Sequence, residues 1–157
     1  MKQDISKENF IIREINKFKE KGKIIGFTNG CFDLLHQGHI HLLKNCKKNC
    51  DYLIIGLNSD ASVSRLKGAS RPIDNQKKRF ENLISLDYVN NVSIFTEDTP
   101  IKLIEEVRPN IIFKGSDYSG KEVVGEKFVK SYGGRVELIS IIEGISTTNI
   151  IEMKEKY

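Results

Sequence analysis

Apolar positions along the chain follow two rhythms. Ile11, Ile15 and Phe18 recur at helical spacing with Glu and Lys on the other faces, so residues 1–22 predict an N-terminal helical extension that stops at Gly22. Lys23–Phe27 is a short run of strand composition, and Leu42, Leu43 and Cys46 then mark a helix over 40–50. Tyr52–Leu57 reads as a buried strand, a loop follows over 64–74, and Phe80, Leu83 and Ile84 line one face of a helix over 75–86. Tyr88–Phe95 is a third strand. Thr99 as cap and Pro100 as first helical residue start a helix that runs to Val107 and is ended by Pro109. Asn110–Phe113, a helix over 122–132 closed by Gly133-Gly134, the strand Arg135–Ile142 and a last helix from Ser146 to Glu155 complete the pattern. Strands alternating with helices imply an α/β fold, a Rossmann-like doubly wound parallel sheet of five strands, in a single domain over 23–157.

One corner of this pattern carries chemistry. Thr28 to His39 reads Thr-Asn-Gly-Cys-Phe-Asp-Leu-Leu-His-Gln-Gly-His, between the first strand and the following helix. In an open α/β sheet such a corner binds nucleotides, because the helix N-terminus offers free amides and the positive end of its dipole. His36 and His39 are spaced so that both rings face one point from a first helical turn. Gly38 between them, lacking a Cβ, admits a polyphosphate close to the backbone. Two imidazole donors on an α-phosphate would stabilise the charge that builds up during nucleotidyl transfer. A pair of structural or solvated histidines is the bland alternative.

These residues identify a family resemblance. His36-Gln37-Gly38-His39 matches the His-x-Gly-His signature of the cytidylyltransferase-like nucleotidyltransferases, and Gly144-Ile145-Ser146-Thr147-Thr148 matches their second signature. Asn58 to Ser62, Arg65 to Gly68, Arg71-Pro72, Glu97 to Pro100 and Lys114 to Tyr118 resemble the branch that makes ADP-heptose from heptose 1-phosphate. The resemblance implies the HxGH nucleotidyltransferase fold, catalytic roles for His36 and His39 aided by Thr147, and a nucleotide site that includes Thr28, Asn29, Gly30, Cys31 and Phe32. Related cytidylyltransferases also imply a positive charge from Lys44, one turn past His39, and the family has an arginine at the position of Arg79, which is either a triphosphate contact or a surface ion pair. Where the wider family often has Arg-Thr, this chain has Ile141-Ile142 before Glu143-Gly144, which tilts the reading away from glycerol-phosphate and phosphocholine cytidylyltransferases.

The remaining candidates follow from position. Asn58 and Asp60 lie where a parallel strand delivers polar groups to the ligand edge. Arg65, Lys67 and Arg71 are either a solvated surface or a clamp on phosphates, and Asp33 would orient the acceptor or a magnesium-bound water. Lys114, Gly115 and Asp117 follow the fourth strand towards the same crevice. Gly144, Ser146, Thr147 and Thr148 at a helix start are either a cap or a second phosphate cradle facing the first.

Composition narrows the class without choosing the reaction. The 157 residues are 39% hydrophobic and 29% charged, as in a globular domain, and the net charge of +4 is spread along the chain. No apolar run approaches the ~20 residues that span a bilayer, and the N-terminus lacks a signal-peptide core, so a cytoplasmic protein without a membrane partner is expected. The three cysteines do not suggest a disulfide framework; Cys46 and Cys50 could share a helix face as zinc ligands, with core packing the favoured reading.

The expected partners are ATP with Mg2+ and a sugar 1-phosphate, with no nucleic acid. A homodimer is implied by resemblance alone. No kinase half is visible, so a separate heptose kinase is expected. The alternatives are a cytidylyltransferase acting on glycerol 3-phosphate or another phosphorylated polyol, a non-catalytic nucleotide-binding module, and a zinc-dependent structural or nucleic-acid-binding protein.

Overall fold

A computed structural model describes residues 5–141 and 150–151, with side chains from Phe10 onward. The elements in chain order are α1 (Ile5–Glu20), β1 (Ile25–Gly30), α2 (Gln37–Lys48), β2 (Tyr52–Asn58), α3 (Asp60–Lys67), α4 (Gln76–Ile84), β3 (Asn91–Phe95), α5 (Ile101–Val107), β4 (Ile111–Gly115), α6 (Glu126–Lys130) and β5 (Arg135–Ile139), with a 3-10 turn over Ser116–Tyr118. All five strands are parallel, in the order β3-β2-β1-β4-β5. This is the doubly wound arrangement expected from the sequence. The chain steps outward from β1 through β2 to β3, then returns to the other side of β1 as β4. The switch point therefore lies between β1 and β4, and ligands of open sheets bind at the carboxyl ends of the strands there.

Each face of the sheet has its own core. Leu43 and Cys46 of α2 and Leu83 of α4 pack with Leu53, Ile55 and Phe113 on one side, and Ile15 of α1 with Ile104 and Val107 of α5 packs on Phe27, Ile54 and Ile112 on the other. β2 is buried at all seven positions, which accounts for its unbroken apolar run. The N-terminal helix joins this second core directly. Phe18 meets Tyr52 edge-on, Tyr52 donates to Glu14, and Lys19 donates to the Val107 carbonyl.

Several boundaries differ from the sequence reading for local reasons. β1 continues through Gly30 because Thr28 to Gly30 pair with Ile55 to Leu57 of β2. The first four residues of the expected 64–74 loop are helix: Ser59 caps α3 by accepting from the Ser62 amide, so Arg65 and Lys67 are helical. Pro100, not Thr99, is the N-cap of α5. β5 ends at Ile139, α6 spans only Glu126–Lys130, and β3 starts at Asn91.

Candidate active site

The two histidines open α2, and each fixes the other. His36 is the N-cap; its Nδ1 accepts from the Gly38 amide at 3.1 Å, while the Nδ1 of His39 accepts from the His36 amide at 3.3 Å. This is a capping box with imidazoles in place of hydroxyl and carboxylate. Because both Nδ1 atoms accept, each neutral ring carries its proton on Nε2 and presents an N–H donor. The rings stack at 3.7 Å between centroids, and the Phe32 ring lies 5.2 Å from that of His39. Burial lowers the pKa of His36, and burial together with His36 pushes that of His39 down to about 3. Both rings are neutral donors at pH 7. The loop before them holds Phe32 and Leu34 at φ +49, a left-handed conformation that non-glycine residues adopt at a cost of about 1–3 kcal/mol each.

The rest of the cluster assembles around this loop. Asp33 is buried and accepts from the Asp74 amide at 2.9 Å, the Ile73 amide at 2.8 Å and Arg71 Nε at 3.0 Å. Burial alone would raise its pKa, but these hydrogen bonds and the Arg71 charge bring it below the usual carboxylate value. At the end of β4, Lys114 Nζ donates to Asn29 Oδ1 at 2.6 Å and lies 5.1 Å over the Tyr118 ring. Burial pushes its pKa down to about 8, partly opposed by the exposed Asp117. Asn29 and Lys114 thus bridge the ends of β1 and β4 at the switch point. A Cβ at Gly115 would fall 2.6 Å from Asp117 Oδ1 and 2.8 Å from Ile141 Cγ2, exposed side chains that would have to shift to admit it. Gly30 is also tight, 3.0 Å from the Phe32 ring by the same measure.

Other expected site residues turn inward. Arg79, expected on the triphosphate or in a surface ion pair, is fully buried. Its Nε donates to the Asp74 carbonyl, Nη1 to the Cys31 and Asn58 carbonyls and Nη2 to Asp60 Oδ1, all within 2.7–2.9 Å. It ties the motif loop to the ends of β2 and of the loop before α4. Asn58, expected on substrate, is buried and donates to Ser62, while Asp60 holds Arg79. The Thr28 hydroxyl, expected on the nucleotide, donates to the Phe113 carbonyl between the strands. Arg65 donates to Asp98 and to the Thr96 carbonyl, bracing α3 against the segment after β3. Lys67 is exposed at the end of α3, where its charge and those of Arg79 and Arg71 partly oppose the rise that burial causes in the Cys31 pKa.

Lys44 is exposed, five residues past His39 and so roughly 140° round the helix from it at about 100° per residue. The expected cradle of Gly144, Ser146, Thr147 and Thr148 lies outside the described residues. The sequence reading missed Ser59 as a cap and Tyr118 as the ring under Lys114. The Ser59–Ser62 spacing ahead of Val63 is a signal that could have revealed the first. Cys46 and Cys50 are buried, with burial raising both thiol pKa values, Cys50 to about 11. Among the described residues no cluster of three His, Cys, Asp or Glu could hold a metal.

A pair of neutral imidazoles opens α2 at the carboxyl end of β1, beside the switch point of a parallel sheet. Residues 27–153 match the cytidylyltransferase-like family model, and the chain belongs to that family as a nucleotidyltransferase. It is 51% identical over 140 residues to the bifunctional protein HldE of Nitrobacter winogradskyi, covering 89% of this chain and 29% of that protein. It is 54% identical over 134 residues to the bifunctional protein HldE of Geotalea uraniireducens, covering 85% and 27%. The chain therefore spans less than a third of the length of these curated relatives. A solved structure described as a lipopolysaccharide core biosynthesis protein of Thermoplasma volcanium matches with a TM-score of 0.64 at 30% identity, covering 77% of this chain and 98% of that one. Pantoate-beta-alanine ligase of Francisella tularensis, solved with beta-gamma ATP and beta-alanine, shares the fold at a TM-score of 0.57 and 16% identity, over 92% and 75% of the two chains.

Proposed function

We propose that this chain transfers AMP from ATP to the phosphate of a sugar 1-phosphate, heptose 1-phosphate in particular, giving ADP-heptose and pyrophosphate. The observation that carries the transfer reaction is the pair of neutral, backbone-fixed imidazoles at the N-terminus of α2. The 51% and 54% identities to HldE proteins and the likeness to a lipopolysaccharide core biosynthesis protein support the heptose branch.

The nucleophile, a phosphate oxygen, is already an anion, so no strong base is required. The work falls to positioning and charge stabilisation. His36 and His39 donate from Nε2 to the α-phosphate oxygens as charge moves towards the leaving pyrophosphate. Lys114, aimed by Asn29, adds positive charge at the neighbouring strand end. Amides at the start of α2 complete the cradle, and the family resemblance assigns Thr147 to the same task. Magnesium would bind together with the triphosphate, take few ligands from the protein and supply charge neutralisation. The sugar 1-phosphate implies a kinase acting beforehand, and the enzyme is proposed to work in the cytoplasm as a homodimer.

The test is pyrophosphate release with magnesium, across ATP, CTP and GTP, against glycero-manno-heptose 1-phosphate and glycerol 3-phosphate. Turnover with ATP and the heptose phosphate alone, lost in His39→Ala, is the expected result. Preference for CTP with glycerol phosphate would keep the mechanism and discard the branch. Binding of ATP without turnover on any acceptor would favour a nucleotide-binding module.

A further inference from the structure

Two arginines flank the histidine loop, and the structure uses them differently. Arg79 is fully buried and all three of its nitrogens donate to protein acceptors. Arg71 is nearly as enclosed, its side chain only 13% exposed, yet only its Nε is engaged, on Asp33. Its Nη1 and Nη2 have no hydrogen-bond partner among the described residues. The backbone of Arg71 is fixed as well: its amide donates to the Gly68 carbonyl, and its own carbonyl accepts from Ser64 Oγ.

The two open nitrogens of the Arg71 guanidinium reach solvent, where an anion can meet them. Its planar fork suits two oxygens of one phosphate. Asp33, the group that aims it, lies three residues before His36, and its charge is felt at His39. We propose that Arg71 is a pre-set phosphate-binding fork of the transfer site and that Asp33 is the positioning residue that aims it. This inference rests on the proposed nucleotidyl transfer and adds to it which cation meets a phosphate.

Asp33 is not replaceable by its amide. Three donors converge on its two oxygens, and an asparagine would supply one oxygen and turn an NH2 towards a backbone amide. Arg71→Lys would keep the charge but lose the fork, because an ammonium cannot be held by Asp33 and present a two-pronged face at once.

The experiment combines steady-state kinetics with calorimetric titration on the full chain. Arg71→Gln is expected to raise KM for one substrate about 10- to 100-fold with kcat changed less than about threefold, with Arg71→Lys between it and the wild type. A rise confined to ATP assigns the fork to the nucleotide, and one confined to the sugar phosphate assigns it to the acceptor. Asp33→Asn should raise the same KM, and the double variant should be no worse than Arg71→Gln, a non-additivity that two separate structural effects would not give. If Asp33→Asn fails to fold, the two Arg71 variants and their melting temperatures decide alone.

Unchanged KM values in Arg71→Gln, or a loss of kcat and melting temperature with no change in KM, overturn the proposal. Should the wild type turn over no acceptor, titration with magnesium-ATP and with heptose 1-phosphate still decides. Equal affinities for both ligands in wild type and Arg71→Gln overturn the fork, and a wild type that binds neither ligand overturns the transfer reading with it.

Discussion

The Nδ1 of His39 accepts from the backbone amide of His36, and so the second histidine of the motif caps the helix that the first one starts. The bond leaves the His39 proton on Nε2 and keeps the ring beside its stacked neighbour. Unfolded, His39 gains a proton near its ordinary value of 6.5; folded, only near 3. Between those values the unfolded chain holds the extra proton, so stability is complete above about pH 6.5 and is lost as the pH falls towards 3. His36, shifted the same way by burial, adds to it. Thermal melts at pH 7 and pH 5 should show a larger drop for the wild type than for His39→Gln. Nitrogen NMR should find both rings as Nε2–H tautomers at pH 7, and an imidazolium signal from His39 at that pH would refute the assignment.

Removing one donor from the pair should act on the chemical step. His36→Ala and His39→Ala are each expected to lower kcat about 100- to 1,000-fold, the loss seen when one preorganised donor is deleted. The loss of a cap should cost only about 1 kcal/mol of stability. Single-turnover rates with saturating substrates measure the first effect and denaturant melts the second. An Ala variant with an unchanged chemical rate would return the histidines to a structural role.

Arg79→Met should behave as a folding defect. It would leave Asp60 without its cation and three carbonyls, of Cys31, Asn58 and Asp74, without their donor, beside a buried space. Each carbonyl left buried without a donor costs about 1–3 kcal/mol, whereas Asp60, with its side chain 42% exposed, is largely rehydrated. Urea unfolding checks it. A variant of wild-type stability with a raised KM for ATP would instead support the triphosphate contact expected from the family.

Lys114 provides a proton-linked signature of binding. With its pKa pushed down to about 8, the amine is partly neutral at pH 8.5, and an anion arriving beside it favours the charged form. Binding of ATP at pH 8.5 should therefore take up a proton, seen as a binding heat that changes with the ionisation enthalpy of the buffer. The effect should vanish in Lys114→Met. Buffer-independent heat in the wild type would place Lys114 away from the phosphates.

Gly26 tests the packing beneath the site. A Cβ there would meet the Phe113 ring at 2.6 Å and Cys50 Sγ at 2.7 Å, inside the core on the α2 side of the sheet. Gly26→Ala should cost about 1–3 kcal/mol through overpacking. Gly22→Ala has space but sits at φ +73, so its cost would be one of backbone strain, without any clash. Melting temperatures of the two variants separate the mechanisms.

Much of this molecule was legible as local pattern. Unbroken apolar runs such as Tyr52–Leu57 marked buried parallel strands, and the His-x-Gly-His spacing marked a helix start, because both signals arise within a few residues of chain. The alternation of strands and helices was enough to give the doubly wound class. What the sequence could not decide was which polar side chains face the ligand. Arg65, Arg71 and Arg79 look alike in sequence, yet one braces α3 on Asp98, one is aimed by Asp33 with two nitrogens open, and one is buried as a pin. Asn58 and Thr28, at strand ends where ligand contacts were expected, turn to Ser62 and Phe113 instead. Those outcomes depend on partners 4 to 85 residues away in the chain, and a buried hydrogen bond forms wherever folding brings donor and acceptor together. The sequence by itself determined the elements other than α3, the class of sheet and the histidine motif, since these rest on short-range periodicity. The tertiary structure alone decided the division of labour among the charged residues, because that is set by which side chains lose water on folding and which acceptors they meet there.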